Sequence, residues 1–350
     1  MFFIYKGLHF LIILKKTKKS RGKFLENKRE KYTLLFMEVK KIDLTQKISL
    51  KAGARPENFD EFVGQKQIKK MLTTAIHSAQ KREGPLGHIL FSGASGYGKT
   101  TLSHIIAQQL GVQIKVVTAY AISKPSELVS ILNSLEEGNL LFIDEIHRLK
   151  PTIEEVLYIA MEDFVIDMVM PEGGSVRIPL NPFTLVGATT KMEQLSTPLK
   201  NRFVYSFHFA DYTKEEKESI IQRYLDEYQI SLADDKILTE IEKKVDSVPR
   251  EIHNLCVKIR DYCVSRGLDT VNEAIWSDFL AHAQLQEGGM TTLHQQYLDI
   301  LAYYDRPLGA KVIAAQMNVS EKALESDIEP LLLKLGKIER TPAGRVLLGD

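Results

Sequence analysis

Gly93-Ala94-Ser95-Gly96-Tyr97-Gly98-Lys99-Thr100 is a complete G-x-x-x-x-G-K-T loop, and its surroundings decide how the chain is read. Ile89-Leu90-Phe91-Ser92 before it is a short apolar run of strand type, while Leu102, Ile105, Ile106 and Leu110 after it have helical spacing. A glycine turn before a helix is by itself more often structural; strand, loop and helix in this order make an anion cradle. Gly93, Gly96 and Gly98 let backbone N–H groups turn toward phosphate oxygens, and the helix presents its positive end to the same anion. Lys99 is placed to reach the β- and γ-phosphates and Thr100 to hold Mg2+, with Thr101 following as a further nucleotide contact.

The other half of a hydrolytic centre follows at Leu140-Leu141-Phe142-Ile143, an apolar run that ends in Asp144-Glu145. An acidic pair closing a buried strand is costly unless it is paired or bound to metal. Asp144 is therefore expected at the metal, together with Thr100, and Glu145 at a water that it orients or deprotonates. The chemistry expected is hydrolysis of a nucleoside triphosphate.

From Phe59 to Leu199 helical patterns alternate with short β-rich runs, the later ones at 114–117, 140–143 and 183–187, which predicts a parallel sheet flanked by helices. Residues 164–180 break the alternation: two β-rich runs surround Pro171-Glu172-Gly173-Gly174, a hairpin signal. The hairpin either projects from the domain or packs on it. From Thr213 the pattern is continuously helical, through 220–230, 237–245, 250–266 and 271–284. After Gln286-Glu287-Gly288-Gly289 come three helical patterns, at 291–304, 309–316 and 320–335, and two short β runs around Thr341-Pro342-Ala343-Gly344. Three helices and a β-hairpin predict a winged helix.

With 350 residues, 44% apolar and 26% charged, the composition is that of a globular protein of two or three domains. The net charge of +1 hides an asymmetry: residues 1–36 carry ten Lys/Arg against two acids, and the remainder is net acidic. Nucleic acid would have to be met by a local basic patch. The apolar run of the basic head is interrupted by Lys6 and falls far short of the roughly 20 residues needed to span a bilayer, so no membrane partner is expected. Residues 1–36 read as a disordered extension, or as sequence upstream of a functional start at Met37, ahead of a membrane-surface anchor. Cys256 and Cys263 have no CxxC or Cys/His cluster around them and read as reduced core thiols of a cytoplasmic protein.

Further motifs stand in a familiar order: Arg55-Pro56 with Phe59-Asp60-Glu61-Phe62-Val63-Gly64-Gln65, then LLFIDEIHRL, AMEDF at 160–164, GATT at 187–190, PLKNRF at 198–203, PREIHNL at 249–255 and RTPAGR at 340–345. Over about residues 54–348 the chain resembles the RuvB family of AAA+ motors, which drive Holliday-junction branch migration in bacteria. The resemblance implies an α/β P-loop AAA+ domain (51–211, with the hairpin 164–180), a small all-α lid domain (212–286) and a C-terminal winged-helix domain (287–350), preceded by a basic extension (1–50) that matches nothing. It implies ATP and Mg2+, a homohexameric ring on duplex DNA and Holliday junctions, RuvA gripped through the hairpin, and RuvC as a further candidate in the same complex.

Carried over residue by residue, the resemblance makes Arg202 the arginine finger that acts on a neighbouring subunit's ATP. The residues alone would favour a surface arginine in a salt bridge there. Thr190 corresponds to the sensor at its strand end, with Thr189 as competitor, and Arg250 to a second sensor from the lid, against a plain solvated arginine. Tyr212 falls where the family sets a residue against the nucleotide, or else packs a hinge. Ala54 and Arg55 match the segment around the adenine, and Glu162, Asp163 and Phe164 match a stretch contributed at the subunit boundary, though they could simply start the hairpin. Arg340 and Arg345 flank the wing turn, where two guanidiniums would engage adjacent phosphates without reading sequence. The chain departs from the family at Ala94-Ser95, usually two prolines, at Lys200, at Ala343, and in a hairpin a few residues shorter.

Overall fold

The computed structural model describes residues 55–169, 175–285 and 287–348; the basic head and Ala54 lie outside them. Five parallel strands, β1 (Ile89–Ser92), β2 (Ile114–Thr118), β3 (Leu140–Asp144), β6 (Thr184–Thr189) and β7 (Tyr205–His208), form one sheet in the order β2-β3-β6-β1-β7. The two-residue period of a strand divides the core. Ile89, Phe91, Leu140, Phe142, Val186 and Ala188 face a cluster that continues into the helices after Thr213. Leu90, Leu141, Ile143 and Leu185 face the opposite cluster with α3 (Pro125–Asn133) and α4 (Pro151–Asp163). Burial on both faces is why these strands read as continuous apolar runs instead of alternating ones.

The first face is covered by α1 (Lys66–Arg82) and α2 (Lys99–Leu110), whose residues Leu72, Ile76, Leu102 and Ile106 are all buried in that cluster. Within 164–180, β4 (Val165–Val169) pairs antiparallel with β5 (Ser175–Pro179), Ile166 opposite Ile178, as a hairpin requires; the expected turn at Pro171-Glu172-Gly173-Gly174 lies outside the described residues. The short α5 (Thr197–Lys200) is capped by Ser196, whose Oγ accepts the Leu199 N–H.

The helical segment consists of α6 (Lys214–Glu227), α7 (Asp235–Lys243), α8 (Pro249–Arg266) and α9 (Glu273–Ala283). A capping box opens α6: Thr213 accepts from Glu216 N, and the Glu216 carboxylate takes the Thr213 N–H. Two small strands, β8 (Ser231–Leu232) and β9 (Thr270–Val271), pair in parallel between these helices, which the helical periodicity does not announce. Cys256 and Cys263 are buried free thiols, and burial pushes the Cys256 thiol up to about 12.

The last part has its own core of Tyr297, Leu301, Ile313, Leu324, Ile328 and Leu332. Its helices α10 (Thr292–Tyr304) and α11 (Ala310–Met317) match the predicted patterns. The third differs. Instead of one helix over 320–335, a short α12 (Glu321–Ala323) runs into a π-helical turn, Leu324–Ile328, before α13 (Glu329–Lys334). The cause is Pro330: it has no N–H to donate, and its ring crowds the carbonyl four residues back. The wing, β10 (Ile338–Thr341) with β11 (Gly344–Leu347), closes through Thr341 Oγ1 on the Gly344 carbonyl. Gly344, at φ +138°, lies so close to the Leu308 carbonyl that a Cβ would come within 2.6 Å of its oxygen.

One side chain joins the three parts. Lys334 at the end of α13 reaches Asp211 Oδ2 at 3.0 Å, just after the sheet, and Asp246 Oδ1 at 2.8 Å, just before α8. Burial works against its charge, but the bonds from Asp246 and Asp211 outweigh it and raise the pKa. Asp211 also accepts the Tyr97 hydroxyl, which lies in the glycine loop.

Candidate active site

The strand order explains the site. Because β6 lies between β1 and β3, their carboxyl ends bring the glycine loop, the acidic pair and two threonines to one edge, where α/β sheets bind ligands. Ser92 is registered with Thr189, and Gly93 N–H donates to the Thr189 carbonyl at 3.2 Å. The loop turns through left-handed glycines, and at Gly96 (φ +85°) a Cβ would lie 2.8 Å from Val248 Cγ1 and 3.0 Å from Arg250 Cβ. Only glycine fits there.

Lys99, 7% exposed, folds over the loop and donates to the carbonyls of Gly93 and Ala94, both at 2.8 Å. Burial lowers its pKa, while the charges of Asp144 and Glu145 act to raise it. Thr100 and Thr101 are half-buried in the first turn of α2. Among the described residues no cluster of three or more His, Cys, Asp or Glu could hold a metal. The donor set suits Mg2+ nonetheless, since this ion takes one or two protein oxygens, here Thr100 and Asp144, and completes its shell with phosphate and water.

Glu145 has a left-handed backbone, φ 51°, and its N–H donates to Asp144 Oδ1 at 3.0 Å. Its carboxylate accepts from Thr190 Oγ1 at 3.0 Å and lies 3.1 Å from His147 Nδ1. The same nitrogen is 2.9 Å from Thr189 Oγ1, so a proton on it bridges Glu145 and Thr189. Thr189 is fully buried; Thr190 is exposed and points its hydroxyl at the acid. His147 is a residue that sequence reasoning missed, although it lies inside the quoted LLFIDEIHRL. Burial lowers its pKa, partly offset by Glu145, so the ring is neutral near pH 7.

Two of the expected site residues touch the glycine loop. Arg250, from the first turn of α8, donates through Nη1 to Ser95 Oγ at 3.2 Å, a partner that exists because serine replaces a proline in the loop. Tyr212 is buried and donates to the Tyr97 carbonyl at 3.1 Å, so it packs on the loop and not only at a hinge. Arg55 is exposed, and its charge is felt at His104 in α2, where burial is the larger cause of a lowered pKa.

Other predicted residues gather elsewhere. Arg202 donates to the Pro198 carbonyl at 2.9 Å and to Glu162 Oε2 at 3.2 Å, with its guanidinium 4.7 Å from the centre of the Tyr158 ring. Tyr158, Ser196 and the buried Glu154 are mutually hydrogen-bonded beneath it at 2.6–2.8 Å. Asp163 is exposed beside Glu162. Phe164 turns into the core, edge-on to Phe183 at 5.7 Å, which is a packing role in its own chain.

In the wing, Arg340 and Arg345 are directly opposed cross-strand partners. Both bond to one carboxylate that sequence reasoning missed, Glu329, which is fully buried; Arg345 also holds Glu325 at 2.7 Å.

A phosphate loop on β1, an acidic pair on β3, a polar strand end between them and a helical segment whose arginine reaches the loop define a P-loop nucleoside triphosphatase of the AAA+ kind. Residues 54–209 match the model of the Holliday junction DNA helicase RuvB P-loop domain, and residues 287–348 that of the RuvB C-terminal winged helix domain. The chain belongs to the RuvB family. It is 39% identical over 304 residues to the Holliday junction branch migration complex subunit RuvB of Latilactobacillus sakei, covering 85% of this chain and 90% of that one. It is equally 39% identical to the same subunit of Lactiplantibacillus plantarum, covering 86% and 91%. The solved Thermotoga maritima RuvB Holliday junction branch migration motor superposes with a TM-score of 0.70 at 36% identity, over 84% of this chain and 95% of that one.

Proposed function

We propose that this chain is an ATP-driven translocase that assembles as a hexameric ring on duplex DNA in the cytoplasm and drives branch migration of Holliday junctions. Lys99 and the loop amides bind the triphosphate, and Arg250 reports on it from the lid. Mg2+, held through Thr100 and Asp144, would neutralise charge on the phosphates. Glu145, aligned by Thr190 and His147, orients the attacking water and accepts its proton; Thr190, the exposed threonine that touches this acid, is the sensor. The hairpin 164–180 meets RuvA, with RuvC in the same assembly.

One observation carries the reading. Arg202 spends its hydrogen bonds on Pro198 and Glu162, none on the loop 93–100 or on Asp144, as suits a cation that serves an adjoining copy. The motor therefore needs the ring. The test is migration of a synthetic four-way junction with RuvA and ATP, by the unaltered protein and by Arg202→Ala. The variant should bind ATP normally yet hydrolyse it roughly 10³-fold or more slowly. Equal turnover by the variant would refute the shared centre, and no migration by the unaltered protein would refute the motor.

A further inference from the structure

Arg340 and Arg345 lie directly opposite each other on one face of a two-stranded ribbon, an arrangement in which like charges repel. Beneath them is Glu329, with no exposed surface at all. One oxygen, Oε2, accepts from Arg340 Nε at 2.7 Å and Nη2 at 2.5 Å; the other, Oε1, accepts from Arg345 Nε at 2.9 Å and from the Tyr297 hydroxyl at 3.0 Å. A carboxylate buried this deeply is strongly unfavourable without partners, and here the partners are the two wing arginines. The π-turn ahead of Pro330 sets a second acid, Glu325, on the outer side of Arg345, where it is half exposed and bonds Nη2 at 2.7 Å. Neither Nη1 nitrogen takes part in these bonds.

We infer that Glu329 is a positioning residue for DNA: it fixes the planes of both guanidiniums so that their remaining donors face adjacent phosphates, whereas Glu325 only occupies Arg345 until a phosphate displaces it. This deepens the reading of the wing as a DNA contact and rests on it. Two carboxylates thus have opposite effects on one arginine. A guanidinium held on one edge by a buried acid loses little further freedom when its other edge meets phosphate. The exposed acid competes for the edge that DNA needs.

Glu329→Gln and Glu325→Gln make the same change in net charge, so charge alone predicts tighter DNA binding from both. Positioning predicts opposite signs. We expect Glu329→Gln in the full-length protein with ATP to weaken binding to a fluorescent duplex roughly tenfold and to flatten the slope of log affinity against log salt by about 1 to 2. Glu325→Gln should strengthen binding about two- to fivefold. Because Glu329→Gln could loosen the module, Arg340→Lys/Arg345→Lys is the companion variant. It keeps both charges but loses the fork bonds, and should weaken binding to a similar degree. Tighter or unchanged binding by Glu329→Gln, or unaltered binding by the lysine pair, would overturn the positioning role. Unaltered binding by Arg340→Ala/Arg345→Ala would instead remove the wing from the DNA contact altogether, and the inference with it.

Discussion

The phosphate loop and the wing both carry cations suited to phosphate, yet they keep them in opposite ways. Lys99 is buried and donates to two neutral carbonyls, with the charges of Asp144 and Glu145 felt without a hydrogen bond to either. Arg340 is exposed and Arg345 half-buried, and both already hold carboxylates. A buried cation hydrogen-bonded only to carbonyl dipoles gains much from an arriving anion, because few water molecules screen the new pair. A surface cation that already holds a carboxylate gains less, and that gain is shared with counter-ions. If the wing meets DNA as proposed, the loop is suited to tight capture of one ligand and the wing to a grip that can be made and released along a strand.

The strongest expectation concerns Lys99→Ala, which removes the buried charge outright. Titration with a fluorescent ATP analogue should show affinity reduced about a hundredfold or more, with duplex binding through the wing little changed in the same preparation. Next in size is salt. Raising it from about 50 to about 200 mM should weaken duplex binding by an order of magnitude or more, while nucleotide affinity shifts by only about a factor of two. If both fell in parallel, the contrast between buried and surface cations would be wrong.

The smallest effect separates the two regions by pH. Burial lowers the pKa values of His88, His104 and His147 in the ATPase part, but among the described residues of the winged helix only that of His294. His88 shows why: its Nδ1 accepts the Leu185 N–H and its Nε2 faces the Met161 carbonyl, so the fold holds it neutral. Below the ordinary value of 6.5 the unfolded chain takes up protons that the folded chain refuses. Stability is therefore fully present above that pH and is lost as pH falls through it toward the depressed folded values. Hydrogen exchange at about pH 7.5 and about 5.5 should show the β1 and β6 amides losing more protection than the α10 amides.

Much of this was legible along the chain because the signals are local. The loop 93–100 and the acidic pair carry their chemistry within a few residues, and RTPAGR marks its own turn. What stayed hidden depends on pairing across long separations. Strand β7 is a four-residue segment whose place at the sheet edge is set by β1, more than a hundred residues earlier. Glu329 reads as one more acid on an amphipathic helix, since its partners are eleven and sixteen residues away on a hairpin. The break in the third wing helix could have been read from Pro330, whose effect on the preceding turn is local. The difference between Thr189 and Thr190 is likewise three-dimensional: one buries against the His147 ring while the other faces Glu145.

Lys334 has a further mechanical consequence. Its single ammonium is claimed at once by Asp211, beside the sheet, and by Asp246, just before α8. If those two carboxylates move apart, it has to side with one of them. A movement of the helical segment against the sheet would thereby be felt at the C-terminal module and, through Asp211, at Tyr97 within the loop itself.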